Sequence, residues 1–295
     1  MGGAPARALS ALSRHYAKAC DVRDFADPAF RERAASIRPD ISLEWQFDRK
    51  TWEFTMLSLL LDELGLLDGR SELLSVGAGR EWILFWLAPR VKRLVATDIY
   101  GRGEFAGNEA PETMLTDPAS LSPYGEPINS LEVLDMDARE LRFPSGSFDA
   151  VFCLSSIEHF GTPADIRGAA VEMGRVLRPG GVAYIATELS LSGSPRIREA
   201  LRRPLRRLSG GRLLRRELFT AEELRRDVIE ASGLNLMQRL DTSISSESFD
   251  NLARRAPPRR RLVTPSGHFH PHITLRLRGE TFTSVGLPLR KPSPQ

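Results

Sequence analysis

The sequence predicts an α/β protein with a doubly wound, mostly parallel, seven-stranded sheet, helices on both faces and an Arg-rich helical lid. Short apolar runs of strand length alternate with longer helical patterns between residues 70 and 190. Strands that alternate with helices form parallel sheets with helices packed on both faces. A glycine turn follows the first apolar run and an aspartate follows the second. Both features therefore lie at the carboxyl edge of the predicted sheet, where open α/β sheets bind their ligands.

The predicted strands are short apolar runs, a pattern that is typical of buried strands. Five lie in the central region and two follow it, with residues 282–287 as a short partner of the last. The seven ranges are 73–76, 94–97, 131–134, 150–154, 182–186, 234–240 and 273–277.

Helical spacing of apolar residues predicts helices over residues 52–64 and 81–88. The clearest helix follows Thr162, a good N-cap, with Pro163 at the first helical position and Asp165 in the first turn. Thr220 caps a further predicted helix. That helix covers residues 221–231, and the polar stretch 101–129 is predicted as a long insertion with one short helix.

The domain organisation follows from these patterns. Residues 1–40 are rich in Ala and Arg without a firm period, so we expect an N-terminal extension that is partly disordered or helical. Residues 41–290 are predicted to form the functional domain. Within it we expect a core at 70–190, a lid region at 191–218 and a C-terminal helix with strands at 219–290.

Composition excludes several classes of protein. A net charge of +3 is low for a general nucleic-acid binder. The two cysteines, Cys20 and Cys153, are too few for a disulfide framework, and Cys153 is expected to be a buried, reduced thiol. The sequence has neither an apolar signal-peptide core nor an apolar run long enough to span a bilayer. We therefore expect a cytoplasmic protein without a transmembrane segment.

The glycine turn is the segment Gly77-Ala78-Gly79, between a predicted strand and a predicted helix. Glycine lets the backbone approach a ligand closely, and the helix N-terminus adds partial positive charge. Asp98 stands about 20 residues further on, at the end of the second strand, where a carboxylate can accept hydrogen bonds from both ribose hydroxyls. This pair of features suits any adenosine-containing cofactor, NAD included.

Four further segments follow the turn in a specific order. Together with the turn and Asp98 they resemble the class I S-adenosylmethionine-dependent methyltransferases, in the branch of small-molecule and ubiquinone-type methylases. The resemblance covers residues 72–188 well and the remainder loosely, and it implies a Rossmann-like fold with S-adenosylmethionine as cofactor. The segments are Leu-Asp-Met-Asp-Ala at 134–138, Phe-Pro-Ser-Gly-Ser-Phe-Asp-Ala-Val at 143–151, Ser-Ser-Ile-Glu-His at 155–159 and Glu-Met-Gly-Arg-Val-Leu-Arg-Pro-Gly-Gly at 172–181.

The resemblance implies a role for each matching residue. Asp98 would hold the ribose and Ile99 would pack against adenine. Asp137 would accept a hydrogen bond from the adenine amino group, and the backbone N–H of Ala138 would donate to the ring. The remaining positions would line or face the methionine part of the cofactor, namely Gly77, Ala78, Gly79 and Ser155.

Two positions depart from the family pattern. Ser75 stands where the family usually has an acid, which removes one anchor for the ammonium region of the cofactor. Glu81 stands where the family often has a third glycine. A non-catalytic scaffold with a methyltransferase-like fold is therefore kept as an alternative. An NAD-dependent dehydrogenase is the other, although it would need the third glycine.

His159 is the candidate general base, because the resemblance places it beside the transferred methyl group; a structural role is the alternative. The His-x-His-x-His run formed by His268, His270 and His272 is interrupted by Pro271 and has no obvious acidic partner, so we expect no metal site. The Arg-rich stretch 196–216 is either a lid that binds an anionic acceptor or a solvated amphipathic helix.

The acceptor is expected to be a small molecule or a glycan. No Asn/Asp-Pro-Pro-Tyr/Phe segment follows the fourth strand, and no proline adjoins Cys153, so methylation of nucleic-acid bases is not favoured. The expected reaction is in-line transfer of a methyl group to a hydroxyl of a small molecule or saccharide. An anionic acceptor, such as a phosphorylated or nucleotide-linked sugar or a lipid-linked glycan, is one hypothesis. The oligomeric state is left open.

Overall fold

The protein is described by a computed structural model that covers residues 12–44, 46–103, 105–192, 218–248, 272–277 and 280–293. The predicted Arg-rich lid lies almost entirely outside these residues, and so do His268 and His270. Within the described ranges, no helix is both long enough and apolar enough to cross a membrane.

Five parallel strands form the body of the sheet, in the spatial order β3-β2-β1-β4-β5. This arrangement confirms the predicted doubly wound, mostly parallel sheet, because the chain starts in the middle and winds to both sides. The strands are β1 (Glu72–Val76), β2 (Arg93–Asp98), β3 (Leu131–Asp135), β4 (Phe148–Leu154) and β5 (Leu177–Ser190).

The other edge of the sheet is antiparallel. Strand β8 (Glu280–Arg290) runs antiparallel to β5, and β6 (Asn235–Leu236) and β7 (Leu275–Leu277) pair with β8. The described sheet thus has eight strands, which are the seven predicted ranges and the partner strand expected at 282–287. The predicted strand 234–240 shrinks to two residues, whereas 282–287 extends to eleven. Thr283 and Ser284 are fully buried in β8, and such buried polar residues weaken the apolar signal of a strand.

Helices cover both faces of the sheet, as predicted. Alternate strand residues point to opposite faces: Ala150 and Phe152 pack in one core, and Val151 and Cys153 in the other. The first core contains α1 (Pro28–Ile37), α2 (Arg49–Glu63), α3 (Trp82–Leu87) and Met114 of α4 (Thr113–Thr116). The second contains α5 (Pro163–Val176) and α6 (Ala221–Leu224) with its π-helical continuation Arg225–Glu230.

Local capping explains where two of these helices begin. The Thr162 hydroxyl accepts a hydrogen bond from the backbone of Asp165, and the Asp165 carboxylate accepts one from the backbone of Thr162. Thr220 and Glu223 form the same reciprocal pair at the start of α6. Each pair satisfies two backbone donors that a helix start leaves unpaired, which confirms the predicted starts.

The N-terminal segment packs into the first core. Over residues 12–40 the chain forms a 3₁₀ turn at Val22–Ala26 and helix α1, and it buries Tyr16, Phe25 and Phe30 in that core. The expectation of a partly disordered or helical extension stays a prediction. The limits of the domain stay a prediction, and residues 1–11 lie outside the described residues.

The long insertion folds over the carboxyl edge of the sheet. It contains α4 and a 3₁₀ turn at Pro118–Leu121, close to the single short helix expected. The Glu109 carbonyl accepts a hydrogen bond from the Arg80 backbone at 2.8 Å, which places the insertion directly against the glycine turn. The Tyr124 hydroxyl donates to the carbonyl of Ile37, which joins the insertion to the end of α1.

Phe30→Ala should lower the free energy of unfolding by about 3–5 kcal/mol, because it empties a fully buried aromatic site in α1. Denaturant unfolding measures this change. Val171→Ala is the control, since Val171 is 50% exposed on α5 and its truncation should change stability by less than about 0.5 kcal/mol. Equal stabilities for the two variants would show that residues 12–40 do not belong to the core.

Candidate functional site

A cavity of about 740 Å³ lies at the carboxyl ends of β1, β2 and β4. The structure brings eight of the nine predicted site residues to its wall: Gly77, Gly79, Asp98, Ile99, Asp137, Ala138, Ser155 and His159. Ala78 is the exception, because it is 1% exposed and packs in the first core behind the turn.

The glycine turn is tightly enclosed. Gly77 and Gly79 have φ angles of +64° and +50°, a region that glycine adopts without a Cβ penalty. A Cβ on Gly77 would lie 2.6 Å from the Cβ of Ser156, and one on Gly79 would lie 2.7 Å from the Glu109 carbonyl oxygen. Both positions therefore require glycine for their conformation and for the space available.

Asp98 both supports the turn and faces the cavity. Its two carboxylate oxygens accept hydrogen bonds from the backbone N–H of Gly79 at 2.8 Å and of Ile99 at 2.7 Å. Burial raises the pKa of Asp98, while these two hydrogen bonds act in the opposite direction. Each carboxylate oxygen has a further lone pair for another donor. Ile99 is 39% exposed, so it offers an apolar surface next to this acceptor.

Asp137 lies at the same end of the cavity and is held by Arg139. The guanidinium of Arg139 donates from Nη2 to Asp137 Oδ2 at 2.6 Å and also reaches Asp165 at 3.0 Å. The hydrogen bonds from the Arg139 side chain lower the pKa of Asp137. Asp137 is thus an ionised acceptor, and part of its capacity is already used by Arg139.

A charged cluster at the start of α2 forms another part of the site, and sequence reasoning missed it. Lys50 Nζ donates to Glu81 Oε1 at 2.5 Å and to the carbonyl of Leu154 at 2.9 Å, and it lies 3.1 Å from Glu53 Oε2. The Glu53 side chain is 1% exposed. The apolar spacing predicts a helix that begins at residue 52, so Lys50 precedes the predicted helix. The missed signal is Asp48, which accepts a hydrogen bond from the Thr51 backbone and caps the helix.

Ser155 connects this cluster to β4. Among the described residues it is the one non-glycine residue with a left-handed φ, +49°. Its hydroxyl donates to Glu53 Oε1 at 2.7 Å and its backbone N–H donates to the carbonyl of Ala186 at 2.8 Å. Such a backbone conformation costs about 1–3 kcal/mol and persists where the surroundings hold it, often at functional sites. Here Glu53 and β5 hold it.

His159 lies at the end of a 3₁₀ turn, Ile157–His159, that follows β4. Its ring lines the cavity and packs against Phe105 of the insertion, with ring centroids 4.9 Å apart. His159 and Ser155 therefore share one wall of the cavity.

The structure describes only one histidine of the predicted His-x-His-x-His run, so it tests the expectation about a metal site only in part. His272 is described: its backbone N–H donates to the Phe47 carbonyl, and its carbonyl accepts from Arg49. In the ranges that the structure covers, no group of three or more His, Cys, Asp or Glu side chains could hold a metal ion. The absence of a metal site stays a prediction.

Glu158 is a buried acid beneath the cavity. Thr187 donates to its Oε2 at 2.8 Å, while its Oε1 is buried without a hydrogen-bond partner among the described residues. Burial raises the pKa of Glu158 to about 8, and the nearby carboxylate of Glu188 acts in the same direction. Glu158 is thus largely neutral at pH 7.

Glu158→Gln should gain stability relative to the wild type as the pH rises from 5 to 8. In this range the folded wild type keeps a proton on Glu158 that the unfolded chain, with a pKa of about 4.3, has released. The free energy of unfolding of the wild type therefore falls by up to about 1.4 kcal/mol per pH unit through this group. Urea unfolding at pH 5, 6.5 and 8 measures the difference.

The control for this titration is Glu140→Gln, which changes an exposed glutamate. Its stability should follow the wild type at every pH. Parallel pH profiles for the wild type and Glu158→Gln would contradict the assignment of a neutral, buried Glu158.

Comparisons with known proteins identify a family for the central part of the chain. Residues 74–185 match the sequence family described as "Methyltransferase domain". A search of curated protein sequences found no match to the chain.

Among solved structures, the chain is similar to a SAM-dependent methyltransferase from Methanosarcina mazei, at 18% identity over 78% of this chain and 97% of that chain, with a TM-score of 0.49. It is also similar to the [4+2]-cyclase SpnF, at 16% identity over 92% of this chain and 94% of that chain, with a TM-score of 0.49. A third is SAM-bound CalS10, an amino pentose methyltransferase from Micromonospora echinaspora, at 23% identity over 55% of this chain and 48% of that chain, with a TM-score of 0.31.

The topology separates the two cofactor classes that the glycine turn and Asp98 left open. The usual dinucleotide-binding fold extends a parallel sheet in the order 3-2-1-4-5-6, whereas here the strand next to β5 is the antiparallel β8. This difference and the family match argue against the dehydrogenase alternative. The family match identifies residues 74–185 as an S-adenosylmethionine-dependent methyltransferase domain.

Proposed function

We propose that this enzyme methylates a hydroxyl group of a small molecule or saccharide. The supporting observation is that the candidate cofactor residues other than Ala78 line one cavity of about 740 Å³ together with His159 and residues of the insertion. Cavities of roughly 300–1,000 Å³ are typical of small-ligand sites. A cavity of this size suits a cofactor together with a compact acceptor better than it suits a nucleic acid or a protein.

The donor set fits the adenosine half of S-adenosylmethionine. In this proposal the remaining lone pairs of Asp98 accept from the ribose hydroxyls, and the exposed face of Ile99 packs on adenine. Asp137 accepts from the adenine amino group beside its pairing with Arg139, and the Ala138 N–H donates to the ring. The cavity wall presents these residues on one side.

The methionine half is assigned to the glycine turn and Ser155. Gly77 and Gly79 line the cavity, and Ala78 supports them from the core. Ser155 faces the same space from the end of β4, in the orientation that Glu53 fixes. The proposed cofactor therefore spans the ends of β1, β2 and β4.

Most of the catalytic effect is expected from orientation. When bound, the cofactor supplies an activated methyl group on its sulfonium, and the protein positions the acceptor in line with it. Correct alignment can contribute roughly 7–11 kcal/mol to lowering a barrier. His159 is proposed to accept the proton of the acceptor hydroxyl, an effect worth about 10² to 10⁴ in rate.

The acceptor side of the cavity is largely aromatic. Phe54, Trp82 and Phe105 line it, and Arg38 stacks over Trp82 with its guanidinium carbon 4.8 Å from the ring centroid. An acceptor with an apolar or ring-shaped face fits this lining. The anionic acceptor hypothesis rests on the Arg-rich stretch outside the described residues and stays a prediction. We also propose a cytoplasmic location, in keeping with the free, buried Cys20 and Cys153.

Gly79→Ala should weaken binding of S-adenosylhomocysteine at least tenfold. The new Cβ would meet the Glu109 carbonyl at 2.7 Å and would strain a positive φ, so the turn must shift. Isothermal titration calorimetry measures the affinity. Gly168→Ala in α5 is the matched control, because no atom lies within 4 Å of the new methyl group and its affinity should be unchanged. Equal affinities would remove the turn from the cofactor site.

His159→Gln should lower turnover by about 10² to 10⁴ while leaving the affinity for S-adenosylhomocysteine unchanged, because the variant removes the proton acceptor alone. The assay follows labelled methyl groups from the cofactor into fractions of a cell extract. We expect the label in the small-molecule or saccharide fraction.

The control variant is His15→Gln, which changes an exposed histidine outside the cavity. Full turnover by His159→Gln would exclude His159 as the base. Label in protein or nucleic acid would contradict the proposed acceptor class. Cofactor binding without any transfer would support the alternative of a non-catalytic scaffold.

A further inference from the structure

Glu81 occupies an unusual position in the cavity. It stands two residues after the glycine turn, at the N-cap position of α3, yet its side chain makes no capping hydrogen bond to that helix. Instead, its Oε1 accepts from Lys50 Nζ, and the side chain, 16% exposed, lines the cavity. The carboxylate is therefore held at the cavity wall by an element outside its own helix.

From this geometry we infer that Glu81 binds the α-ammonium group of S-adenosylmethionine. The inference depends on the cofactor assignment and is independent of the acceptor. Glu81 lies two residues after Gly79, on the side of the cavity proposed for the methionine half. Ser75 supplies no charge there, because its hydroxyl is neutral and it is buried in β1, 2% exposed.

The charges around Glu81 leave one negative charge uncompensated. Glu53 and Glu81 share the single ammonium of Lys50. Arg49, the neighbour of Lys50 in α2, is paired with Glu188 at 2.8 Å. Glu53 Oε2 is buried and lies 3.1 Å from Lys50 Nζ, the same nitrogen that Glu81 contacts. A ligand with a cationic donor would compensate the second carboxylate, whereas an anionic ligand would compete with the two carboxylates for Lys50.

S-adenosylmethionine has two cationic groups, the sulfonium and the α-ammonium, and their places in the cavity favour the ammonium as the partner of Glu81. The sulfonium must face the acceptor, and His159 marks that wall. The α-ammonium is the other cation of the cofactor and carries three donors. It therefore matches a carboxylate oxygen next to the glycine turn.

The protonation of Glu81 makes this contact measurable. Burial raises the pKa of Glu81 to about 7; Lys50 lowers it, and Glu53 and Asp98 raise it. Tyr100 and Cys153 also face this group, and burial keeps both neutral by raising their pKa values. A bound ammonium would favour the ionised carboxylate. Binding should then release a proton, and affinity should rise as the pH rises from 6 to 8.

The test is calorimetric titration of S-adenosylhomocysteine, which keeps the α-ammonium and lacks the sulfonium. Titrations at pH 6, 7 and 8 in two buffers of different ionisation enthalpy report the proton released. For the wild type we expect release of a fraction of a proton near pH 7 and an affinity that rises several-fold from pH 6 to 8. For Glu81→Gln we expect roughly 10- to 100-fold weaker binding at pH 8, as for loss of a hydrogen bond to a charged group, and no pH dependence.

Two controls separate this role from a structural one. 5′-Methylthioadenosine lacks the amino-acid part, so Glu81→Gln should bind it as the wild type does. Glu140→Gln, which changes an exposed glutamate, should keep the affinity and pH dependence of the wild type for S-adenosylhomocysteine.

Three results would overturn the inference. The first is pH-independent binding by the wild type without proton release, which needs no variant. The second is wild-type affinity of Glu81→Gln for S-adenosylhomocysteine. The third is an equal loss of affinity for 5′-methylthioadenosine in this variant. A wild type that binds no S-adenosylhomocysteine at all would instead overturn the cofactor assignment, and this inference with it.

Discussion

The buried ion pair between Lys50 and Glu53 is the interaction on which the site depends. From one helical turn, Lys50 reaches the carbonyl of Leu154 and the carboxylate of Glu81. Glu53 accepts hydrogen bonds from Ser155 and Ser284. The start of α2 thus fixes the end of β4, Glu81 at the start of α3 and the middle of β8. Removing Lys50 would leave the buried carboxylate of Glu53 without its cation, so this pair couples the site to the stability of the fold.

The N-terminal segment matters for function because it holds α2 in place. Trp52 Nε1 donates to Asp24 at 2.7 Å, and the Tyr16 hydroxyl donates to Glu63 at 2.7 Å. Both ends of α2 are therefore tied to residues that precede it. A segment without a regular sequence pattern positions the helix that supplies the charges of the cavity.

The sequence predicted those features of the structure that depend on residues close together in the chain. The parallel strands, the Thr162 cap and the glycine turn each rest on contacts within a short stretch or on apolar runs, and the structure has them where expected. The roles of Lys50 and Glu53 rest on partners far away in sequence: Glu53 and Ser284 are 231 positions apart. Such pairings depend on the order of the strands in the sheet, and the spacing of residues within α2 does not predict them.

The carboxyl groups around the cavity show how position, rather than residue type, assigns their roles. Arg139 lowers the pKa of Asp137, whereas burial raises the pKa of Glu158, the neighbour of His159 in the turn after β4, to about 8. The acceptor side carries aromatic rings and His159 instead. Negative charge thus concentrates where the proposed cofactor lies. In the proposed orientation, the cationic cofactor has its ribose at Asp98 and its reacting end towards His159, so its charge lies next to these carboxyl groups. The same distribution that binds the cofactor would therefore also orient it.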